Sequence, residues 1–303
     1  MTEQSTNISP EHEYLGAGKS AAYGLQHVLT MYGGIIAPPL IVGTAAGLEA
    51  TQIGLLIAAA LFVGGLATIL QTIGVKYIGA KLPLVQGVSF AGVATMVAIV
   101  TTGGGLSAVY GAVIIASLIG FFLAPYFSRI IRFFPPVVTG CVITIIGLSL
   151  LPVAVRWMMG GNKNAPEWGS VENISLAVMT LAIVICLNLS RNASIRRLSI
   201  LLAIVLGSVL AYLFGFGDFS KVGNGAWVQF PSFFAFGMPT FELSAIISML
   251  IVTLVIMTET TADIIAVGEI VGTQVDSERI SNGLRADMFS SAVAPIFGSF
   301  MQS

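Results

Sequence analysis

From about residue 18 onward the chain is a succession of long apolar stretches separated by short polar breaks. A helix that crosses a bilayer needs about 20 mostly apolar residues. Stretches of that kind fall near 18–44, 51–73, 83–101, 106–124, 130–153, 173–189, 197–216, 243–268 and 283–300. The pattern predicts nine spans. Ahead of them, Met1 to His12 is polar and predicts a loose tail. That tail has no basic region followed by a short apolar stretch and a small-residue cleavage site, so no removable signal peptide is expected.

Composition moves the reading from a helical protein to an integral membrane one. Hydrophobic residues make up 56% of the chain and charged residues 9%, whereas a soluble domain carries about 25% charged residues. Mean hydropathy is +0.94. The fold class expected is all-α and polytopic. A net charge of −1 says nothing of partners, but the placement of the 13 Lys and Arg residues does, because cytoplasmic loops accumulate positive charge. With a cytoplasmic N-terminus, Lys19, Lys76, Lys81, Arg129, Arg132, Arg191, Arg196, Arg197, Arg279 and Arg285 lie inside; Arg156, Lys163 and Lys221 lie outside. One missed or invented span would scramble this bias.

Soluble chemistry is not indicated. Cys141 and Cys186 both sit inside predicted spans and have no metal-ligand spacing with His12 or His27, so neither a disulfide framework nor a metal site is expected. Gly-rich phosphate loops, a nucleophile elbow and basic clusters suited to nucleic acid are absent from the sequence. No catalytic residue and no cofactor are assigned, and an enzyme is not expected.

The chain repeats itself. Pairing position n with n+229 aligns Ile35-Ile36-Ala37 with Ile264-Ile265-Ala266 and Ile41-Val42-Gly43-Thr44 with Ile270-Val271-Gly272-Thr273. It also aligns Glu49 with Glu278 and Gly54-Leu55 with Gly283-Leu284, so that ten of the 21 positions from 35 to 55 are identical. Span 1 then matches span 8, and a repeat unit holding an odd number of spans inverts its second copy, the plan of many secondary transporters. By the same offset, the partner of the Gln86–Phe90 segment falls near 315–319. The chain is therefore expected to be the N-terminal part of a longer transporter.

Four places carry candidate chemistry. Glu259 and Asp263 lie one helical turn apart, on one face of an otherwise apolar stretch. An acid at bilayer depth costs about 2.5–3.5 kcal/mol even on the lenient insertion scale, which points to a substrate or a proton as the reason for keeping it. Structural bonding to nearby Thr and His groups is the plainer alternative. Span 3 opens Leu82-Pro83-Leu84-Val85-Gln86-Gly87-Val88-Ser89-Phe90, where Pro, Gln, Gly and Ser interrupt a helical pattern. Irregular backbone at that depth is tolerated where it lines a cavity, and Phe90 could stack on a planar ligand; a Pro kink and packing are the alternatives. Gln26-His27 in span 1 reads either as an inter-helix bond or as a proton carrier. Asp287, near the inner end of span 9, reads either as an ion pair with Arg285 or as a coupling group.

Together the Gln26-His27 pair, the Gln86-Gly87-Val88-Ser89-Phe90 segment, Pro135-Pro136-Val137-Val138-Thr139-Gly140 and the Glu259-x-x-x-Asp263 helix resemble the nucleobase-ascorbate transporters, in matching order from about residue 17 to 303. The resemblance implies a fold of about fourteen spans built as two inverted seven-span repeats. It would divide this chain into a cytoplasmic tail (1–16), core-domain spans 1–4 (17–125), gate-domain spans 5–7 (126–216), an extracytoplasmic loop (217–241) and core-domain spans 8 and 9 (242–303), with spans 10–14 absent. It implies a nucleobase symporter with alternating access in a bacterial inner membrane, coupled to protons, with sodium as the alternative ion. Glu259, Phe90, Ser89 and Gln86 would bind substrate; Asp263, His27, Asp287 and Gln26 would form a proton-linked or supporting network. Asp263, where uracil carriers tend to have His, favours xanthine or urate over uracil. A homodimer is what the family implies for a full-length protein. The family's span 10 motif, Gln or Glu followed by Asn, is not reached at Met301-Gln302-Ser303. Competing expectations are another purine or uracil, an anion carrier of the sulfate-permease type, and a non-transporting fragment or scaffold.

Overall fold

The computed structural model describes residues 16–130, 136–161, 165–216 and 230–303. The tail before Gly16, Arg132, Pro135, Lys163 and Lys221 lie outside the described residues. In chain order the helices are α1 (Ala17–Ala45), α2 (Ala50–Ile73), α3 (Val93–Ile99), α4 (Gly105–Ile130), α5 (Pro136–Met158), α6 (Val171–Asn188), α7 (Ala193–Arg197), α8 (Ser199–Leu213), α9 (Leu243–Val271) and α10 (Ser277–Val293). Among the described residues five helical runs are long and apolar enough to cross a membrane: 17–45, 50–73, 90–129, 171–188 and 243–271. Residues 144–158 and 199–213 form shorter apolar helices.

The described residues divide into two compact units. One draws on residues 16–21, 35–130, 136–146 and 231–303, the other on 22–34, 147–161, 165–216 and 230. In the first, α4 packs along α9 and α10, and α10 packs on α2. The α4 face in contact is a ladder of small residues, with Ala108, Ala112, Ala116 and Ala124 all 0% exposed and Gly120 at the same spacing. A Cβ on Gly120 would come within 2.6 Å of Met288 Sδ and 2.8 Å of Thr253 Cγ2. Such a ladder lets helix backbones approach closely where no hydrophobic force drives them together. In the second unit α6 packs on α8, and Gly33 of α1 has no room for a Cβ, Ile200 Cγ2 lying 2.6 Å from that position.

Two predicted spans differ from what is observed. Span 3 does not start as a helix: residues 83–89 are extended, and burial alternates up to Val88, with Leu82, Leu84, Gln86 and Val88 buried and Pro83, Val85 and Gly87 not, before Ser89 is buried as well. Pro83 supplies no N–H, and helical geometry begins only at the single turn Phe90–Gly92. The helical run then continues to the end of α4, interrupted near Gly103, whose φ of +103° breaks the helix. Span 5 is helical over Pro136–Met158, the residues just before Pro136 lying outside the described ones. Span 9 is displaced toward the N-terminus, α10 running from Ser277 to Val293. Its start is set by Asp276, which accepts a hydrogen bond from the Arg279 N–H at 2.7 Å. Its end passes into a short 3-10 turn at Ala294–Phe297, with Pro295 inside.

The extended segment pairs antiparallel with the residues at the end of the chain: Gly87 N donates to Ser303 O (3.1 Å), Ser303 N to Gly87 O (3.0 Å) and Ser89 N to Met301 O (2.9 Å). The aligned acids Glu49 and Glu278 have a local reason. Glu49 N-caps α2 in a capping box with Gln52, and Glu278 sits in the first turn of α10, both near the positive end of a helix dipole.

Candidate functional site

α9 carries four threonines, and three of them fold back onto their own helix: Thr253, Thr258 and Thr261 donate to the carbonyls four residues earlier, at 2.7–2.9 Å. Thr260 instead donates across to Asp287 Oδ2 of α10 at 2.5 Å. Asp287 is 0% exposed. Its other oxygen, Oδ1, accepts from Gln71 Nε2 of α2 at 3.3 Å, and the Gln86 side-chain amide of the extended segment donates to it as well. Three neutral donors from three different segments therefore surround this carboxylate. The ion pair with Arg285 is not what holds it. The Arg285 guanidinium lies over the Phe121 ring of α4 at 5.9 Å.

Glu259 precedes Thr260 and is half-buried. The Ser89 hydroxyl donates to its carboxylate, while Glu259 Oε2 is buried with no hydrogen-bond partner. Gln86 Oε1 is in the same condition, though the Gln86 backbone N–H is held by Thr68 Oγ1 at 2.9 Å. Ser89 also fixes the local backbone by accepting from Ala91 N at 3.3 Å, which caps the turn that Phe90 opens. Phe90 is half-buried at that junction. Asp263 is exposed one turn along α9, and the three acids Glu259, Asp263 and Asp287 are close enough to interact electrostatically.

Of the residues singled out in the sequence, the structure thus gathers Glu259, Ser89, Gln86, Asp287, Phe90 and Asp263 in the first unit. Gln26 and His27 belong to the second, where His27 is exposed and Gln26 half-buried. No group of three His, Cys, Asp or Glu residues that could hold a metal occurs among the described residues, and both cysteines are free. Sequence reasoning missed Gln71, Thr68, Thr260 and Gln302. Gln302 is fully buried: its N–H is held by Ser291 Oγ (2.8 Å) and its amide nitrogen by Phe300 O (2.7 Å). The available signal was an uncharged polar residue inside an apolar stretch, which is too common to single one out.

A polytopic membrane helix bundle, with a buried acid braced by neutral donors and a second acid half free beside an extended segment, defines an integral membrane protein with a polar site set inside it. The chain belongs to the nucleobase-ascorbate transporter family: the permease family model Xan_ur_permease matches residues 18–302. It is 42% identical to the uric acid permease PucK of Bacillus subtilis over 277 residues, covering 91% of this chain and 64% of that protein. It is 38% identical to the xanthine permease of Bacillus subtilis (94% and 65% covered) and 36% identical to the uric acid transporter UacT of Escherichia coli (94% and 60%). The chain therefore spans somewhat under two thirds of the length of these relatives. Membership places it with transport proteins and not with enzymes.

Proposed function

We propose that this chain forms the nucleobase-binding part of a secondary transporter that imports xanthine or urate by proton symport with alternating access, its N-terminus in the cytoplasm of a bacterial cell. The observation that carries the proposal is that two of the buried acceptors without partners, Glu259 Oε2 and Gln86 Oε1, belong to the segments that meet at the Phe90 turn. A buried acceptor with no donor costs about 1–3 kcal/mol, more when charged. A ligand offering N–H groups removes that cost, and the imide and imidazole edges of an oxidised purine do so in a plane that a Phe ring can cover. Glu259 acts as the ligand to the base, Ser89 orients it, Gln86 accepts a second N–H, and Phe90 lies against the ring. Asp263, Asp287, Gln26 and His27 are assigned to the supporting, proton-linked network. The names of the relatives, uric acid and xanthine permeases, favour these purines over uracil. Unpaired acceptors are the wrong lining for an oxyanion, which weighs against a sulfate-type carrier.

The test is uptake of radiolabelled xanthine and urate by the complete transporter, with and without a protonophore, in wild type and Glu259→Gln. Replacing one carboxylate oxygen by an NH₂ turns an acceptor into a donor facing a donor. Uptake is expected to fall at least about 100-fold, on the order of 3 kcal/mol, and to collapse with the protonophore. Uptake unchanged by both refutes the proposal. Competition by sulfate but not by xanthine selects the anion carrier, and a protein showing no ligand-induced thermal shift selects the scaffold.

A further inference from the structure

Gln71 falls in no motif of the sequence, and the proposed function does not use it, yet it is 0% exposed inside an apolar helix. A glutamine at such a depth is costly unless its hydrogen-bonding groups are satisfied. Here they are. Oε1 accepts from Ala80 N at 3.1 Å, while Nε2 donates to Gly283 O at 3.4 Å and to Asp287 Oδ1 at 3.3 Å.

On the Ala80 side the anchor is firm. The turn after α2 is pinned by Gly79 N donating to Asn282 O (2.7 Å) and Lys81 N donating to Gln71 O (3.0 Å). Arg279 Nε adds a bond to Ala80 O at 2.7 Å. Gly283 lets α10 come this close: a Cβ there would lie 2.5 Å from Ile264 Cδ1 and 3.4 Å from Gln71 Nε2. On the other side stands a single acid whose second oxygen takes the Thr260 hydroxyl. Thr260 adjoins Glu259 on α9, so its bond to Asp287 ties the turn that presents Glu259 to Ser89 to α10.

We infer that Gln71 is a positioning residue for purine binding: its amide locks the Asp287 carboxylate to the α2–α10 frame, and through Thr260 it fixes the Glu259 ligand. This rests on the reading of Glu259 as the purine ligand.

The experiment uses the complete transporter purified as wild type, Gln71→Glu, Asp287→Asn and the exchange variant Gln71→Glu/Asp287→Asn, with xanthine and urate dissociation constants measured on each. Gln71→Glu keeps the oxygen that accepts from Ala80 N–H but replaces the donor to Asp287 with a second acceptor. Xanthine binding is expected to weaken about tenfold, the weight of one charge-assisted hydrogen bond. The exchange restores a donor–acceptor pair with the roles reversed, and binding is expected to return to within about threefold of Asp287→Asn alone. Wild-type affinity in Gln71→Glu overturns the inference, since Gln71 would then only cap the turn; an exchange variant binding no better than Gln71→Glu overturns it too. The same four proteins are melted without ligand, where recovery of the Gln71→Glu loss in the exchange variant supports the contact and additive losses, or failure of the exchange variant to fold, overturn it. A wild type that binds neither purine refutes the Glu259 reading, while the melting cycle still decides the Gln71–Asp287 pair.

Discussion

Replacing Thr260 with Val removes one hydroxyl and nothing else of consequence, because the two side chains have nearly the same shape and Thr260 is only 3% exposed. What is lost is the 2.5 Å bond to Asp287 Oδ2. A hydrogen bond to a charged group contributes about 1.5–3 kcal/mol, and stripping a buried charge of its partner altogether costs about 3–5 kcal/mol. Asp287 keeps the Gln71 and Gln86 donors, so the full penalty does not apply, and the expected loss is about 2 kcal/mol. Thr260→Ser separates the hydroxyl from the methyl group: it keeps the bond and removes one buried methyl, worth about 1 kcal/mol. The two variants should therefore rank wild type, Ser, Val in melting temperature of the detergent-purified complete transporter. The same ranking should appear in the KM for xanthine, with Val raised up to about 30-fold if the whole loss falls on binding. A Thr260→Val protein that melts and transports as Thr260→Ser does would refute the reasoning, since the bond would then carry no weight.

Other expectations follow from the packing. Gly87→Ala in the extended segment drives a Cβ to within 2.7 Å of Ile35 Cγ1, an overpacking that costs about 1–3 kcal/mol; a lowered melting temperature that Ile35→Ala restores is the expected pattern, checked by melting the single and double variants. The free cysteines Cys141 and Cys186 are both exposed, so the Cys141→Ser/Cys186→Ser protein should melt within about 0.5 kcal/mol of wild type under oxidising and reducing conditions alike.

The long apolar helices were legible because hydropathy needs no tertiary context: α6 and α9 begin within two residues of where the pattern puts them. α10 was misplaced because its first turns, Ser277 to Asn282, are polar and hydropathy skips them. The Asp276-Ser277-Glu278-Arg279 run held a readable cap, but a cap signal inside a membrane protein is outweighed by the apolar window that follows it. Local chemistry offered two readings of the Pro83–Ser89 stretch, irregular backbone or a Pro kink, and the first is what is seen; what it pairs with, residues 301–303, lies far along the chain and no periodicity reports it.

The same division runs through the site. Glu259, Asp263 and Asp287 stand out in the sequence because a charge at bilayer depth is costly in almost any fold, so its presence alone demands a reason. Gln71, Thr68 and Thr260 do not stand out, because a neutral polar side chain is costly only when unpaired. Whether it is paired is settled by residues far along the chain: Asp287 lies 216 positions from Gln71 and 27 from Thr260. Sequence therefore reveals where charge must be tolerated, and the fold reveals who makes it tolerable. At Asp287 that second set is complete and neutral, so the acid is held without a counter-charge, whereas at Glu259 one oxygen has been left without a donor. The contrast between two acids that each take a donor from the extended segment, Gln86 at Asp287 and Ser89 at Glu259, is the physical reason for proposing Asp287 as part of the frame and Glu259 as the ligand.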